Sequence, residues 1–408
     1  MIKVPTLENK WYRRGLFFLV YMIETIITLV TLSYFPMLFI GYGLNPAVYG
    51  VIGSLSLAPM VFKFFIGPLS DRFPIRFLRG KRRGYFILGA LLNIIFLPLL
   101  VLNPVQFLIF FGIVWFMQTL GIAIMDIMTD TFIIETRAIQ SVKGRTGASL
   151  WIFGGVFLGG TVATGLVPIL EANLLGGLLV MAGISVPPLI MVLLLKGEPG
   201  EAKPKVNLHE VVGRNLKFSF IKMGLLFALL LNIDAGLLEL NLEPFLQDSF
   251  GIGRQEVVGT LFLFSLLGVV LGFVGYFFID KVQKARLLMI INAIYVIPAV
   301  LLFYFIVAGT LTYGMFLMLY AVFSFISGLS YVTYTGLFFD LSDPKAAGTM
   351  IALFLTMANL GMVLGIAIGG FLSMATIYLV VAIVCACRLI PLAFIKAHDI
   401  EKTFYQQE

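Results

Sequence analysis

The chain has 408 residues, of which 60% are apolar and only 12% are charged, and its formal net charge at neutral pH is +7. Soluble domains are about 45–50% apolar and about 25% charged. The composition therefore excludes a soluble enzyme, a secreted disulfide scaffold, a nucleic-acid-binding protein and a disordered chain. About 245 apolar residues, at roughly 20 for each membrane-spanning helix, correspond to close to twelve spans.

Twelve apolar runs follow one another along the chain, each long enough to cross about 30 Å of hydrocarbon as a helix. The runs are continuously apolar, which favours helices over the alternating strands of a membrane barrel. Numbered in chain order as spans 1 to 12, they cover 15–41, 46–66, 84–102, 105–134, 146–169, 174–195, 218–243, 255–279, 286–307, 311–339, 346–370 and 374–395. The sequence therefore predicts an all-α membrane protein with twelve transmembrane helices.

Basic residues lie almost entirely on one side of these spans. Of the 28 lysine and arginine residues, 25 fall in the termini and in the loops on the same side, whereas the opposite loops hold only Arg254. Because cytoplasmic segments carry the excess of basic residues, both termini are expected in the cytoplasm. The net charge is then a signal of topology, and no nucleic-acid partner is needed to explain it.

A polar interval divides the chain close to its midpoint. It predicts an N-terminal six-helix bundle over 1–195, a cytoplasmic linker over 196–217 and a C-terminal six-helix bundle over 218–408. The segments around Glu135 and Asp340 share an order of span, acid, base and small residues, about 205 residues apart. Duplicated halves of this kind are common in transporters.

Glycine rows occur in three of the spans. Small residues four apart allow the backbones of neighbouring helices to approach closely, so these rows predict tight helix packing. The rows are Gly154, Gly155, Gly159 and Gly160 in span 5, Gly268, Gly272 and Gly275 in span 8, and Gly361, Gly365 and Gly369 in span 11.

The loop between spans 2 and 3 reads GPLSDRFPIRFLRGKRRGYFIL. It resembles the signature loop of the major facilitator superfamily, and its extended form is most similar to the folate–biopterin transporter and muropeptide permease branches. Two further segments support the resemblance, MDIMTDT at 125–131 and GTMIALFLTMANLGMVLG at 348–365. The second-half copy of the loop, GYFFIDKVQKAR at 275–286, departs from the pattern, with Tyr276 in place of the leading glycine.

The resemblance implies two bundles of six helices, the major facilitator fold, that move against each other. It also implies that Asp71 and Arg72 form a conformational gate, stabilising the outward-facing state by contact with span 11. The other basic residues of the loop are expected only to fix the topology. They are Arg76, Arg79, Lys81, Arg82 and Arg83.

Ionisable residues deep in the predicted spans are candidates for function, because each costs at least about 2.5–3.5 kcal/mol to insert at mid-bilayer. Glu24 lies about midway along span 1, in a polar stripe that includes Tyr21. Gln118, Asp126 and Asp130 share one face of span 4 at helical spacing. These residues indicate a substrate or proton pathway. The alternative for Asp126 and Asp130 is a structural ion pair with one of the two basic residues inside spans.

Span 7 is the richest in polar residues. A continuous helix would place Asn232, Glu239 and Glu243 on one face and Asp234 on the opposite face. Gly236 would allow this helix to bend or break, as cavity-lining helices do. Glu243 is alternatively a residue of the extracellular mouth.

Span 10 contributes two tyrosines to the same predicted pathway. The resemblance implies that spans 1, 4, 7 and 10 line a central cavity, and these four spans hold all the intramembrane acids. The predicted substrate and proton pathway consists of Tyr21, Glu24, Gln118, Asp126, Asp130, Asp234, Glu239, Tyr331 and Tyr334.

The predicted function is secondary active transport of a small solute by alternating access, coupled to protons. The chain has no GxxxxGK[ST] motif for ATP, no nucleophile–base pattern and no metal-ligand pattern, so neither an enzyme nor a cofactor is expected. The expected partners are a small-molecule substrate, H⁺ and the lipid bilayer of the plasma membrane, with the protein a monomer. The alternative is a non-transporting sensor or assembly factor of the same fold.

Overall fold

The computed structural model describes residues 6–73, 75, 81–136, 142–195, 208–239, 241–276, 282–342, 347–396, 399–400 and 403. The regular elements of these residues are helices, as long apolar runs require where each backbone polar group must be satisfied within its own segment. The helices of the first half are α1 Lys10–Leu29, α2 Phe35–Gly41, α3 Pro46–Val61, α4 Lys63–Arg72, α5 Lys81–Phe96, α6 Leu108–Glu135, α7 Val142–Ala172, α8 Leu174–Ile184 and α9 Val186–Leu194.

The described residues of the second half also form nine helices. Its helices are α10 Leu208–Asn215, α11 Ser219–Leu231, α12 Ile233–Glu239, α13 Leu242–Phe250, α14 Arg254–Tyr276, α15 Lys284–Val307, α16 Tyr313–Asp340, α17 Ala347–Gly369 and α18 Met374–Ala393. Helix α6 of the first half and helix α16 of the second both have 28 residues.

Eleven helical segments within the described residues are long and apolar enough to cross a bilayer. They coincide with predicted spans 1 to 7 and 9 to 12, and the prediction of these spans is confirmed at this level. Predicted span 8 coincides with α14, whose apolar stretch Gly259–Gly272 is shorter than the other eleven.

Several spans are interrupted. Span 1 passes from α1 through a π-helical turn, Val30–Tyr34, into α2, which has a proline in its first turn. Span 7 is broken twice and consists of α11, α12 and α13, with Asn232 ending α11 in a non-helical conformation. The expected break of this helix occurs, but it lies at Asn232 and between Glu239 and Leu242, whereas Gly236 lies inside α12. The spacing of Asn232, Glu239 and Glu243 therefore no longer fixes a common face.

The chain folds into two compact units. The first consists of Met1–Leu44 and Leu55–Lys205, and the second of Asn45–Ser54 and Val206–Glu408. The first turns of α3 thus belong to the second unit, where Gly50 lies against the carbonyl oxygen of Ile366 and Gly370 against that of Pro46.

A matching pair of glycine contacts occurs in each unit. In the first unit, a Cβ atom at Gly155 or Gly159 of α7 would overlap the carbonyl oxygens of Phe18 and Met22 in α1. In the second, a Cβ atom at Gly361 or Gly365 of α17 would overlap the carbonyl oxygens of Leu229 and Ile233. The glycines are four residues apart in both units, and so are the carbonyls. This correspondence supports the interpretation of two related halves, and it explains two of the glycine rows by close backbone approach.

Candidate functional site

A cluster of ionisable side chains lies inside the first unit, on α1, α4 and α6. The Lys63 ammonium group of α4 pairs with the Asp126 carboxylate of α6, and its Nζ lies 3.9 Å from Glu24 Oε1 of α1. The side chains of Lys63 and Asp126 are only 9% and 6% exposed. Tyr21 donates a hydrogen bond of 2.5 Å to Asp130 Oδ1, one helical turn further along α6. We call these five residues the acidic cluster.

The acidic cluster is short of positive charge. It contains three carboxyl groups and one ammonium group, so full ionisation leaves two negative charges uncompensated inside an apolar bundle. Glu24 Oε2 is buried and has no hydrogen-bond partner among the described residues. Burying unpaired charge is expensive, so a proton or another cation must offset the surplus.

The structure brings together four of the predicted pathway residues of the first unit, namely Tyr21, Glu24, Asp126 and Asp130, but it places Gln118 elsewhere. Gln118 is fully buried and donates to Asn93 Oδ1 at 3.1 Å. Asn93 in turn donates to Ser185 Oγ at 2.8 Å. This chain of hydrogen bonds ties α6 to α5 and to the end of α8, which is a packing role.

Lys63 is a site residue that sequence reasoning treated only as a possible partner for the aspartates. The signal was present, since Lys63 is one of two basic residues inside predicted spans. Arg388, the other one, lies in the second unit and pairs with Asp234, with Nη2 2.5 Å from Oδ1.

Arg388 also holds the first break of span 7. Its guanidinium group donates to the carbonyl oxygens of Leu230 and Leu231 at the end of α11. A further contact of 3.3 Å reaches Asn292 Oδ1 of α15. Helix C-termini expose unpaired carbonyls and a partial negative charge, which a guanidinium group compensates well. Asp234 therefore forms an ion pair with Arg388 at the break between α11 and α12.

Glu239 ends α12 and differs from the other intramembrane acids described above. No described residue forms an ion pair or a hydrogen bond with its carboxylate. The rings of Tyr331 and Tyr334 of α16 are in contact, with their centroids 5.2 Å apart. The Tyr334 ring also contacts the Phe338 ring, at a centroid distance of 5.6 Å. Tyr331 is 37% exposed, so the pair borders a surface of the second unit.

The two predicted gate residues, Asp71 and Arg72, end helix α4. Their side chains lie outside the described part of the chain, so the gate remains a prediction. Arg76, Arg79 and Lys81 likewise have no described side chains.

The expectation that Arg82 and Arg83 serve only to fix the topology is wrong. Arg82 hydrogen-bonds to Ser70 of α4, and Arg83 donates to the carbonyl oxygens of Leu193 and Leu195 at the end of α9. Both side chains are buried, 8% exposed each, and Arg83 caps the carboxyl end of α9. Within the described ranges, no group of three or more His, Cys, Asp and Glu side chains is arranged to hold a metal ion.

Comparison of the sequence with models of protein families identifies the family of the chain. The family model of the Major Facilitator Superfamily matches residues 16–366 and 224–403. No curated protein sequence matches the chain.

Solved structures show the same fold. The nucleoside transporter NupG is similar with a TM-score of 0.68 and 13% identity, over 95% of this chain and 98% of that one. A D-xylose-proton symporter is similar with a TM-score of 0.70 and 14% identity, over 94% of this chain and 95% of that one. The protein is therefore a multi-pass integral membrane protein of a transporter family, not an enzyme, and the chain belongs to the major facilitator superfamily.

Proposed function

We propose that this protein is a secondary active transporter that moves a small solute across the plasma membrane by alternating access and is driven by protons. Membership of the superfamily supports transport. The fold shared with a protein named as a D-xylose-proton symporter supports coupling to protons. The proposal includes twelve spans, cytoplasmic termini, two six-helix halves over 1–195 and 218–408 joined by the 196–217 linker, and a monomer.

The observation that carries proton coupling is the charge balance of the acidic cluster. Lys63 already has a close partner in Asp126, whereas Glu24 lies further from it, at 3.9 Å, with one oxygen unsatisfied. Glu24 is thus the carboxyl group that gains most from a proton. Asp130, in contrast, accepts a hydrogen bond from Tyr21.

The cluster suggests how a proton is linked to movement of the unit. When Glu24 is protonated, it no longer attracts Lys63, which stays paired with Asp126; when Glu24 is ionised, it attracts Lys63 as well. The three residues sit on α1, α4 and α6, so loading and unloading of the proton changes the forces between these helices. In this proposal, Asp71 and Arg72, at the end of the helix that begins with Lys63, transmit the change to the cytoplasmic gate.

The branch of the superfamily is also a proposal. The SDRFPI and GKRRGY segments between spans 2 and 3, together with MDIMTDT in span 4, support a place near the folate–biopterin transporters and muropeptide permeases. The last of these segments contains Asp126 and Asp130, so the resemblance and the acidic cluster coincide.

The experiment is uptake by purified protein in proteoliposomes. The probes are radiolabelled uridine, D-xylose, folate and tetraphenylphosphonium, each with an inward pH gradient, with no gradient, and with the gradient collapsed by a protonophore. We expect at least one probe to accumulate only with the gradient intact. Binding of a probe without accumulation in any condition would favour a sensor of the same fold and contradict the proposal.

A further inference from the structure

A patch of basic and aromatic side chains lies where α1 begins, at the end of the first membrane-crossing segment, Lys10–Leu32. The Arg14 guanidinium carbon lies 5.3 Å from the centre of the Trp11 ring and 5.2 Å from that of the Trp151 ring of α7. The Lys10 ammonium group lies 5.9 Å from the centre of the Trp11 ring. These are the distances of cation–π contacts, so the rings help to hold both cations in place. We call Lys10, Trp11, Arg14 and Trp151 the basic–aromatic patch.

The patch carries positive charge that the surrounding chain does not compensate. Residues 6–14 contain one acid, Glu8, against three bases, Lys10, Arg13 and Arg14, which leaves a surplus of two positive charges. The first turn of α1 contains no acidic residue. Within the described part of the chain, neither Lys10 nor Arg14 forms an ion pair. The patch therefore attracts an anion from outside the chain.

Helix α7 adds basic residues at the same end of the unit. The glycine contacts between α1 and α7 run in the same order along both helices, so the two helices are parallel and begin on the same side. The first two turns of α7 contain Lys143 and Arg145 and no acid. The surplus of positive charge thus extends over the beginnings of two adjacent helices.

The hydrogen bonds of Arg14 differ from those of its neighbour Arg13. The Arg13 guanidinium group donates to the main-chain carbonyl oxygens of Leu7 and Glu8, at 2.7 and 3.4 Å, so the protein itself uses its donors. No described residue accepts a hydrogen bond from Arg14, whose described contacts are with two aromatic rings. A guanidinium group has five N–H donors in a planar fork that fits a phosphate group. Arg14 is therefore positioned by the protein, and its donors are available to a partner.

The position of the patch identifies the class of this partner. Trp11 is 69% exposed, and it is the second residue of the membrane-crossing segment. Tryptophan rings are enriched at the level of the lipid headgroups, and basic residues at that level bind anionic lipids. The phosphate of a lipid reaches the Arg14 fork while its acyl chains lie along the apolar helix, whereas a soluble anion gains only the first of these contacts.

We propose that the basic–aromatic patch is a binding site for the headgroup phosphate of an anionic phospholipid. Arg14 is the main donor, Lys10 supplies a second positive charge, and Trp11 and Trp151 hold Arg14 in position. A zwitterionic lipid also has a phosphate, but its ammonium group is repelled by the surplus of positive charge. The site therefore selects lipids by their net charge, and it does not depend on the transport proposal.

The test uses the tryptophans of the full-length protein, purified in detergent, as probes. Two of the three tryptophans belong to the patch, and the third, Trp115, is fully buried. Phospholipids with brominated acyl chains quench the fluorescence of tryptophans that they contact. Quenching is titrated with brominated phosphatidylglycerol, which is anionic, and separately with brominated phosphatidylcholine, which is zwitterionic. We expect half-maximal quenching at a mole fraction at least about tenfold lower for the anionic lipid, because each of two basic residues contributes about fivefold.

Substitutions separate the charge from the rings. Arg14→Gln and Lys10→Gln should each reduce the preference for the anionic lipid about fivefold. Trp151→Leu keeps every charge and should also reduce it several-fold, because Arg14 loses one of the rings that position it. The matched control is Lys222→Gln, at an exposed lysine in the first turn of α11, which should keep the wild-type preference. Lys10 is exposed, so Lys10→Gln keeps the proposal testable if the other variants fail to fold, as judged by size-exclusion chromatography.

Competition with glycerol 3-phosphate distinguishes a lipid from a soluble phosphate. At a concentration equal to that of the lipid, it should leave the quenching unchanged. Three results would overturn the site. They are equal quenching by the two lipids, an undiminished preference in the folded Arg14→Gln and Lys10→Gln proteins, and displacement of the lipid by glycerol 3-phosphate, which would assign the patch to a soluble phosphate instead.

Discussion

Removal of the Lys63 ammonium group is the perturbation for which the structure gives the clearest magnitude. In Lys63→Met the apolar length of the side chain is kept while Asp126 loses its partner and Glu24 loses the nearest positive charge. The Lys63 and Asp126 side chains are 9% and 6% exposed, so solvent screens the pair little. Breaking a buried pair by removing one partner costs about 3–5 kcal/mol, and we expect a loss of stability in this range.

The assay is equilibrium unfolding in SDS, followed by tryptophan fluorescence. The matched control is Lys222→Met, at an exposed lysine of α11, for which we expect a change within about 0.5 kcal/mol. In the double variant Lys63→Met/Asp126→Asn the orphaned charge is gone, so most of the lost stability should return. Protonation of carboxylates offsets part of the loss, which should therefore be larger at pH 8 than at pH 5. Wild-type stability of Lys63→Met at both pH values would refute the ion-paired cluster.

Three further predictions follow from the packing and the hydrogen bonds. Arg388→Lys should destabilise the second unit, because an ammonium group cannot serve Asp234 and the two carbonyls of α11 at once, and a thermal melt unchanged from wild type would contradict this. Gly361→Ala should cost about 1–3 kcal/mol in SDS unfolding, since a Cβ atom there overlaps the Leu229 carbonyl, whereas Gly259→Ala, with open space around it, should be neutral or stabilising. Tyr21→Phe removes the hydrogen bond to Asp130 and should lower the unfolding free energy by about 1.5–3 kcal/mol, an effect absent from the exposed Tyr42→Phe control.

The spans could be predicted because the thickness of the bilayer sets their length and apolar runs identify them. The ionisable residues inside spans could be selected for the same reason, since each is a costly exception. Lys63 and Asp126 could both be selected as ionisable residues inside spans. For Asp126 the sequence left two roles open, a pathway residue or a structural ion pair. The spacing of the glycine rows also predicted close helix packing. It did not identify the carbonyl groups against which the glycines pack.

The features that could not be predicted depend on partners far along the chain. The break of span 7 at Asn232 is held by Arg388, more than 150 residues later. The role of Arg83 depends on where α9 ends, 110 residues away. Gln118 has the same helical spacing as a cavity residue, but its side chain meets Asn93 instead. Periodicity gives the face of a helix, whereas the helix packed against that face is set by tertiary structure.

Gradient-driven uptake by Glu24→Gln tests the central claim most directly, because this change removes a titratable proton and keeps the shape of the side chain. With a probe that the wild type accumulates, the measurement compares two modes in the same vesicles: accumulation under an inward pH gradient, and counterflow exchange without a gradient. The account predicts that Glu24→Gln loses the accumulation and retains the exchange, since only the driven mode needs the proton. Accumulation at the wild-type level in this variant would contradict the account.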